Sequence, residues 1–273
     1  MTDAIADTVA GQKPLVEMRG IHKRYGGVHA LQGADLTIYP GEIHGLLGDN
    51  AAGKSTLIKI LSGAVIRDSG DILFDGQPVH ISTPRDAKAL GVETVYQDLA
   101  LADNLDIASN LFLGRELCHP GLPILNIGRM EQEAASLLSR LKINIPNIKQ
   151  RVHNMSGGQR QCVAIARSVY FNARVIILDE PTAALGVHET EKVFDLVREM
   201  REQGHSVLMI SHNLNHVFDI CDRVTVMKTG RVAGTRHITE TDKEDVVTMI
   251  MTGAPSQNRN KGTKTGGSEL AYA

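Results

Sequence analysis

Nowhere in the 273 residues do ~20 apolar side chains run together, the length a membrane-spanning helix needs. Nor is there an excess of charge: 29 lysines and arginines face 31 aspartates and glutamates, so no electrostatic case exists for nucleic acid as a partner. The three cysteines, Cys118, Cys162 and Cys221, are too few and too scattered for a disulfide framework or a zinc site, a usage that fits a reducing compartment. The amino terminus, MTDAIADTVAGQKP, has neither a basic start nor an apolar run and does not read as a signal peptide. Together these absences predict a soluble, cytoplasmic protein that works on a membrane only by docking to something that spans one.

What is present is enough chain for one sizeable core with a small lobe attached. Two polar ends, residues 1–13 and the tail from Pro255 to Ala273, carry too little apolar content to order themselves. The segment between them, 14–254, opens with β-type runs: DLTIYP alternates faces, and DILFDGQPVHI contains an Asp75-Gly76 pair suited to a hairpin turn. From IHGLLG onward, compact apolar strands alternate with helical patterns. RVIILDE and HSVLMISH are apolar without alternation, which predicts parallel strands buried on both faces. Between them HETEKVFDLVREMREQG sets Val193, Phe194, Leu196, Val197 and Met200 on one helical face and stops at Gly204. Residues from about 98 to 165 read as mainly helical. The expectation is an α/β core with a β-rich entry and a helical insertion, and no internal repeat.

Gly48 to Thr56, GDNAAGKST, fits G-x-x-x-x-G-K-[ST] between a strand and a helix, the context in which that motif cradles phosphate. Backbone amides of Asp49, Asn50, Ala51, Ala52 and Gly53, continuing into the helix, point at phosphate oxygens where the helix dipole favours negative charge. Lys54 reaches the β- and γ-phosphates, and the Ser55 hydroxyl can ligate Mg²⁺. Position 51 is alanine where many such loops have glycine; if the loop needs positive φ there, the Cβ costs roughly 1–2 kcal/mol.

VIILDEPT ends a buried strand on Asp179 and Glu180. Successive strand residues point to opposite sides, which assigns the carboxylates different work: Asp179 holds Mg²⁺ through water, and Glu180 polarises the water that attacks the γ-phosphate. His212 follows the next strand and emerges at the same carboxyl edge of the sheet, where such folds bind ligands; alone it reads as a solvated loop residue. Its neighbour His216 reads as helix surface. Gln97, after a short β-type run, is a neutral side chain able to ligate Mg²⁺ and orient water, though alone it says nothing. Tyr25, one of ten aromatic residues, lies beside two glycines, where base stacking and ordinary lobe packing are both open. A hundred residues after the first phosphate loop, Ser156, Gly157, Gly158 and Gln159 form a second at the start of a helix, and its amides are suited to grip a γ-phosphate.

Over residues 14–253 these pieces resemble the nucleotide-binding subunit of ABC transporters. GDNAAGKST resembles the Walker A loop, VIILDE the Walker B strand with its catalytic glutamate, and MSGGQ the family signature, with Met155 in the usual leucine position. Gln97, His212 and Tyr25 then fall at the Q-loop, the switch histidine and the adenine-stacking aromatic. The resemblance implies a P-loop NTPase (RecA-like) core with an N-terminal antiparallel β lobe and an inserted helical subdomain, binding ATP and Mg²⁺. It further implies a head-to-tail pair of subunits in which each signature loop caps the ATP held by the partner's Walker A. TPRDA (83–87), NLFLGRE (110–116) and PTAALGV (181–187) resemble the sugar-import branch of ribose, xylose and fructose type. That implies a place on the cytoplasmic face of the inner membrane, bound to permease subunits and served indirectly by a solute-binding protein; many members of the branch carry two ATPase units in one chain, and the single unit here implies a homodimer. The apolar stretch LALADNLDIASNLFLG (99–114), including Leu111 and Phe112, is the expected permease-docking surface. Gly186 departs from the D-loop aspartate of many ABC ATPases. An importer of another solute, an exporter and a non-transport ABC ATPase remain alternatives; a P-loop small-molecule kinase should lack the signature and the Gln97/His212 pair.

Overall fold

The computed structural model describes residues 12–145 and 147–255; the end segments 1–13 and 255–273 fall outside these but for Gln12, Lys13 and Pro255. In chain order the elements are β1 (Val16–Tyr25), β2 (Val28–Ile38), β3 (Ile43–Gly48), α1 (Lys54–Leu61), β4 (Ser69–Phe74), β5 (Gln77–Pro78), α2 (Pro84–Ala89), β6 (Val92–Val95), α3 (Ile107–Leu111), α4 (Ile127–Arg140), α5 (Gly157–Tyr170), β7 (Val175–Asp179), α6 (Val187–Glu202), β8 (Ser206–Ile210), α7 (Leu214–Ile220), β9 (Arg223–Lys228), β10 (Arg231–His237) and α8 (Lys243–Thr252).

Four strands, in the order β2-β1-β4-β5, form an antiparallel sheet, the β lobe expected at the entry. The turn between β4 and β5 is Asp75-Gly76, with φ of 52° and 76°, the doubly positive backbone that a two-residue hairpin requires. Six more strands, β10-β9-β3-β8-β7-β6, form a sheet that is parallel from β9 to β6. The hairpin β9–β10, turning on Thr229 and Gly230, is an element the sequence reading did not draw.

The unbroken apolar character of the parallel strands has a direct cause. Val175 and Ile177 of β7, with Leu208 and Ile210 of β8, join α1 and the β lobe in one core, while Ile176, Leu178, Val207 and Met209 join α4, α5 and α6 in another. Both faces are covered, so Val175 to Leu178 of β7 and all of β8 are buried and no alternation survives there.

Between β6 and β7 the chain is helical only in part. After α3 it runs irregularly, with an isolated bridge between Cys118 and Leu125, before α4; α5 then continues unbroken past residue 165 to Tyr170. Leu111 and Phe112 are 0% exposed, packed in the second core, with the Phe112 ring edge-on to Tyr170 at 4.7 Å. The stretch 99–114 therefore spends those two side chains inward, and they offer nothing to a partner. Within the stretch Leu113 faces outward, as does Tyr96 just before it, and four more exposed apolar side chains come later: Leu122, Ile124, Leu125 and Ile127.

Candidate phosphate-binding site

The site begins with strand register. Leu46 of β3 pairs with Ile210 of β8, and Ile210 pairs with Asp179 of β7, so the three strands end side by side at one edge. The chain segments that leave this edge carry the first phosphate loop, Asp179-Glu180 and His212. Gly48 closes β3 at φ 147°, and a Cβ there would stand 2.3 Å from the Met227 carbonyl oxygen of β9, so only glycine lets the two backbones meet. Gly53 caps α1 at φ 103°, and a Cβ there would stand 2.8 Å from the Ala30 carbonyl. Ala51 sits at φ 66°, so the loop does require a left-handed residue there and alanine bears the strain.

Lys54, almost wholly buried, donates from Nζ to the carbonyl oxygens of Gly48 (2.6 Å) and Asp49 (3.0 Å). Burial lowers its pKa, against the opposing pull of Glu180, Asp49 and Asp179. The Asp49 carboxylate accepts from Lys228 Nζ at 2.6 Å, and this bond holds its pKa below the usual carboxylate range. Lys228 thus ties the loop to the end of β9. No local pattern around Lys228 signals that role; it follows from β9 lying beside β3.

Glu180 leaves β7 with φ 51° and donates its amide to the Ile210 carbonyl at 3.0 Å, which turns its side chain toward His212; His212 Nε2 meets the Glu180 carboxylate. A non-glycine residue in this conformation is uncommon, and such strain gathers at functional sites. The Asp179 carboxyl is raised in pKa, first by burial and then by the negative charge of Glu180, with Lys54 pulling the other way. Two carboxylates at one strand end, one desolvated and one paired with a histidine, have the different environments that different roles require.

Tyr25, Asp49, Asn50, Ala51, Ala52, Gly53, Lys54, Ser55, Thr56, Asp179, Glu180 and His212 line a single cleft of about 310 Å³, with Gly48 beneath its loop. Val28, His29, Ala30 and Ile210 complete the lining and were not foreseen. Tyr25, 46% exposed, stands at the mouth with the Lys23 ammonium 5.6 Å from its ring centre.

Two parts of the expected constellation lie elsewhere. Gln97 is exposed after β6, one strand farther out than β7, and does not line the cleft. The second loop begins α5: Ser156 and Gln159 form a capping box, Gln159 N donating to Ser156 Oγ (3.3 Å) and Ser156 N to Gln159 Oε1 (3.0 Å). Ser156, Gly158 and Gln159 border a different groove, of about 420 Å³, together with Leu141, Ile143, Cys162, Glu189 and Leu196. His216, read as helix surface, is half-buried: its Nδ1 lies 3.0 Å from Thr182 Oγ1 and its ring packs edge-on to Phe194.

Residues 31–183 match the profile of the ABC transporter family. The xylose/arabinose import ATP-binding protein XylG of Sulfolobus acidocaldarius is 46% identical over 250 residues, covering 92% of this chain and 98% of that protein. The fructose import ATP-binding protein FrcA of Rhizobium meliloti is 45% identical over 254 residues, covering 91% and 97%. Among solved structures, cbiO1 of Clostridium perfringens, part of the ABC transporter complex cbiONQ, superposes with a TM-score of 0.72 at 28% identity, covering 89% of this chain and 97% of that one. A phosphate cleft built at the edge of β3, β7 and β8, a separate serine-capped helix that opens on two glycines, and relatives this similar over nearly the whole chain lead to one assignment: the protein belongs to the ABC transporter family, as one of its ATP-binding ATPase subunits.

Proposed function

We propose that this subunit hydrolyses ATP to drive import of a monosaccharide through separate permease subunits, working as a head-to-tail pair with a second copy of itself. The carrying observation is the separation of the two phosphate loops: the loop at Ser156–Gln159 borders a groove that shares no residue with the cleft around Lys54. That separation favours a γ-phosphate gripped between two chains, the first loop from one and the second from the other. The solute class rests on the relatives, which are named for import of xylose, arabinose and fructose.

In this reading Lys54 leaves the loop carbonyls for the β- and γ-phosphates, the amides of Asp49 to Thr56 hold the remaining oxygens, and Tyr25 stacks on the adenine. Ser55 and Asp179, both hard-oxygen donors lining the cleft, suit Mg²⁺, with Gln97 brought in when the helical region moves. No group of three His, Cys, Asp or Glu among the described residues can hold a metal, as fits an ion that relies on the substrate's own phosphates. When bound, it neutralises phosphate charge. Glu180 accepts the proton of the attacking water, and His212 donates to the γ-phosphate in place of its contact with Glu180. The partner's Ser156, Gly157, Gly158 and Gln159 close the far side.

The permease seat is the exposed apolar cluster of Leu122, Ile124, Leu125 and Ile127, an apolar patch of the kind that marks a protein contact. It holds the subunit at the cytoplasmic face of the inner membrane, and a solute-binding protein delivers the sugar from the other side.

One pair of variants tests the proposal. Glu180→Gln should bind ATP, lose at least about 100-fold in turnover and elute as an ATP-bound dimer. Leu122→Asp with Ile124→Asp should keep the ATPase activity of the isolated subunit and abolish sugar uptake in cells carrying the permease. Near-native turnover in the first variant would remove Glu180 from the chemistry, and near-native uptake in the second would remove this surface from docking.

A further inference from the structure

The second phosphate loop is not free in this chain. Gly158 N donates to Oε1 of Glu189, in the first turn of α6, at 3.3 Å. The nearby Ser156 hydroxyl, and then the Gly158 amide, hold the Glu189 pKa below the usual carboxylate range. The fit is close as well as polar. A Cβ on Gly158 would lie 2.9 Å from Glu189 Cβ and 3.1 Å from its Cγ, so the second glycine of the loop is what lets the glutamate stem approach the helix end. Glu189 is joined to the Gly186 turn by its own amide, which donates to the Gly186 carbonyl at 3.1 Å. Its carboxylate thus takes up the Gly158 amide that a γ-phosphate at this loop would need.

We infer that Glu189 is a positioning residue that competes with the γ-phosphate: its carboxylate stands in for the phosphate while the signature loop is empty and must let go when the partner chain's ATP arrives. The inference rests on the trans-site reading of the loop proposed above. Two anions cannot share the Gly158 amide, and the like charges repel at short range. Glu189 therefore pre-forms the loop, at the cost of weaker apparent ATP affinity. The capping box between Ser156 and Gln159 is independent of Glu189 and keeps α5 started when the carboxylate leaves.

The test is an ATP titration of dimer formation by gel filtration, with Glu180→Gln as the parent. Glu189→Gln keeps the acceptor oxygen and the side-chain size but removes the charge, and should lower the half-maximal ATP concentration by about twofold to fivefold, the range expected for one charge at a helix N-terminus. In the chain with native Glu180, the same change should lower KM for ATP by a similar factor with kcat within twofold. Glu189→Ala should move KM in the same direction and carries the test if Glu189→Gln melts early. A glutamate that only braced the loop would leave KM unchanged or raise it in both variants, and either result overturns the inference. If the parent itself forms no ATP-dependent dimer while folded, the trans-site reading fails and takes this inference with it; if the parent dimerises and the variants match it, only the inference falls.

Discussion

The two phosphate loops of this chain use the same backbone chemistry and are built in opposite ways. The first, Gly48–Thr56, is locked from below: Gly48 touches β9, Gly53 touches β2, Lys54 is buried, and Lys228 clasps Asp49. The second, Ser156–Gln159, is exposed at Ser156 and Gly157 and is held by a capping box and one borrowed carboxylate. A loop that holds its own chain's nucleotide can be fixed by its own sheet. A loop that meets a phosphate from another chain must stay accessible until that chain arrives.

The largest effect comes from separating the loops onto different chains. Lys54→Ala removes the ammonium from the first loop, and Ser156→Arg blocks the second by bulk, so each homodimer has two broken sites. Mixed, both lesions fall in one composite site and the other is intact, so ATP-dependent dimers should return from none to a clear population on gel filtration. No recovery with both variants folded would mean that each loop serves its own chain.

A smaller effect contrasts the supports. Gly48→Ala drives a methyl into the Met227 carbonyl at a φ that L-residues rarely adopt, and should cost about 2–4 kcal/mol of stability by thermal melt. Gly157→Ala meets only the Leu185 side chain, at 3.2 Å, in a helical turn, and should stay within about 1 kcal/mol of the parent. Equal losses would erase the distinction between a sheet-locked loop and an accessible one.

The smallest effect is at Ala51. Its left-handed backbone is a standing strain, so Ala51→Gly should raise the melting temperature by about 1–3 °C, the relief of Cβ strain being partly offset by the greater freedom of glycine in the unfolded chain. A lower melting temperature would mean that the alanine methyl contributes packing that outweighs the strain.

Much of the parallel sheet, the β4–β5 turn and the first phosphate loop were legible in the residues alone. Unbroken apolar runs marked β7 and β8 as parallel and buried, Asp75-Gly76 marked its hairpin, and strand–loop–helix spacing identified Lys54 and its loop, because each signal is local and a few residues long. Tertiary packing settled what depended on neighbours distant in sequence. It buried Leu111 and Phe112 in the core and left Leu122 and Ile124 outside, in the irregular segment between α3 and α4, since apolar character alone does not tell which side chains a neighbouring element covers. It set Lys228 on Asp49, 179 residues away, and Glu189 under Gly158, because strand order and helix packing bring those groups together. It also kept the second phosphate loop out of the cleft that holds the first: the helix it begins packs into the second core and its loop borders another groove, which no spacing along the chain encodes.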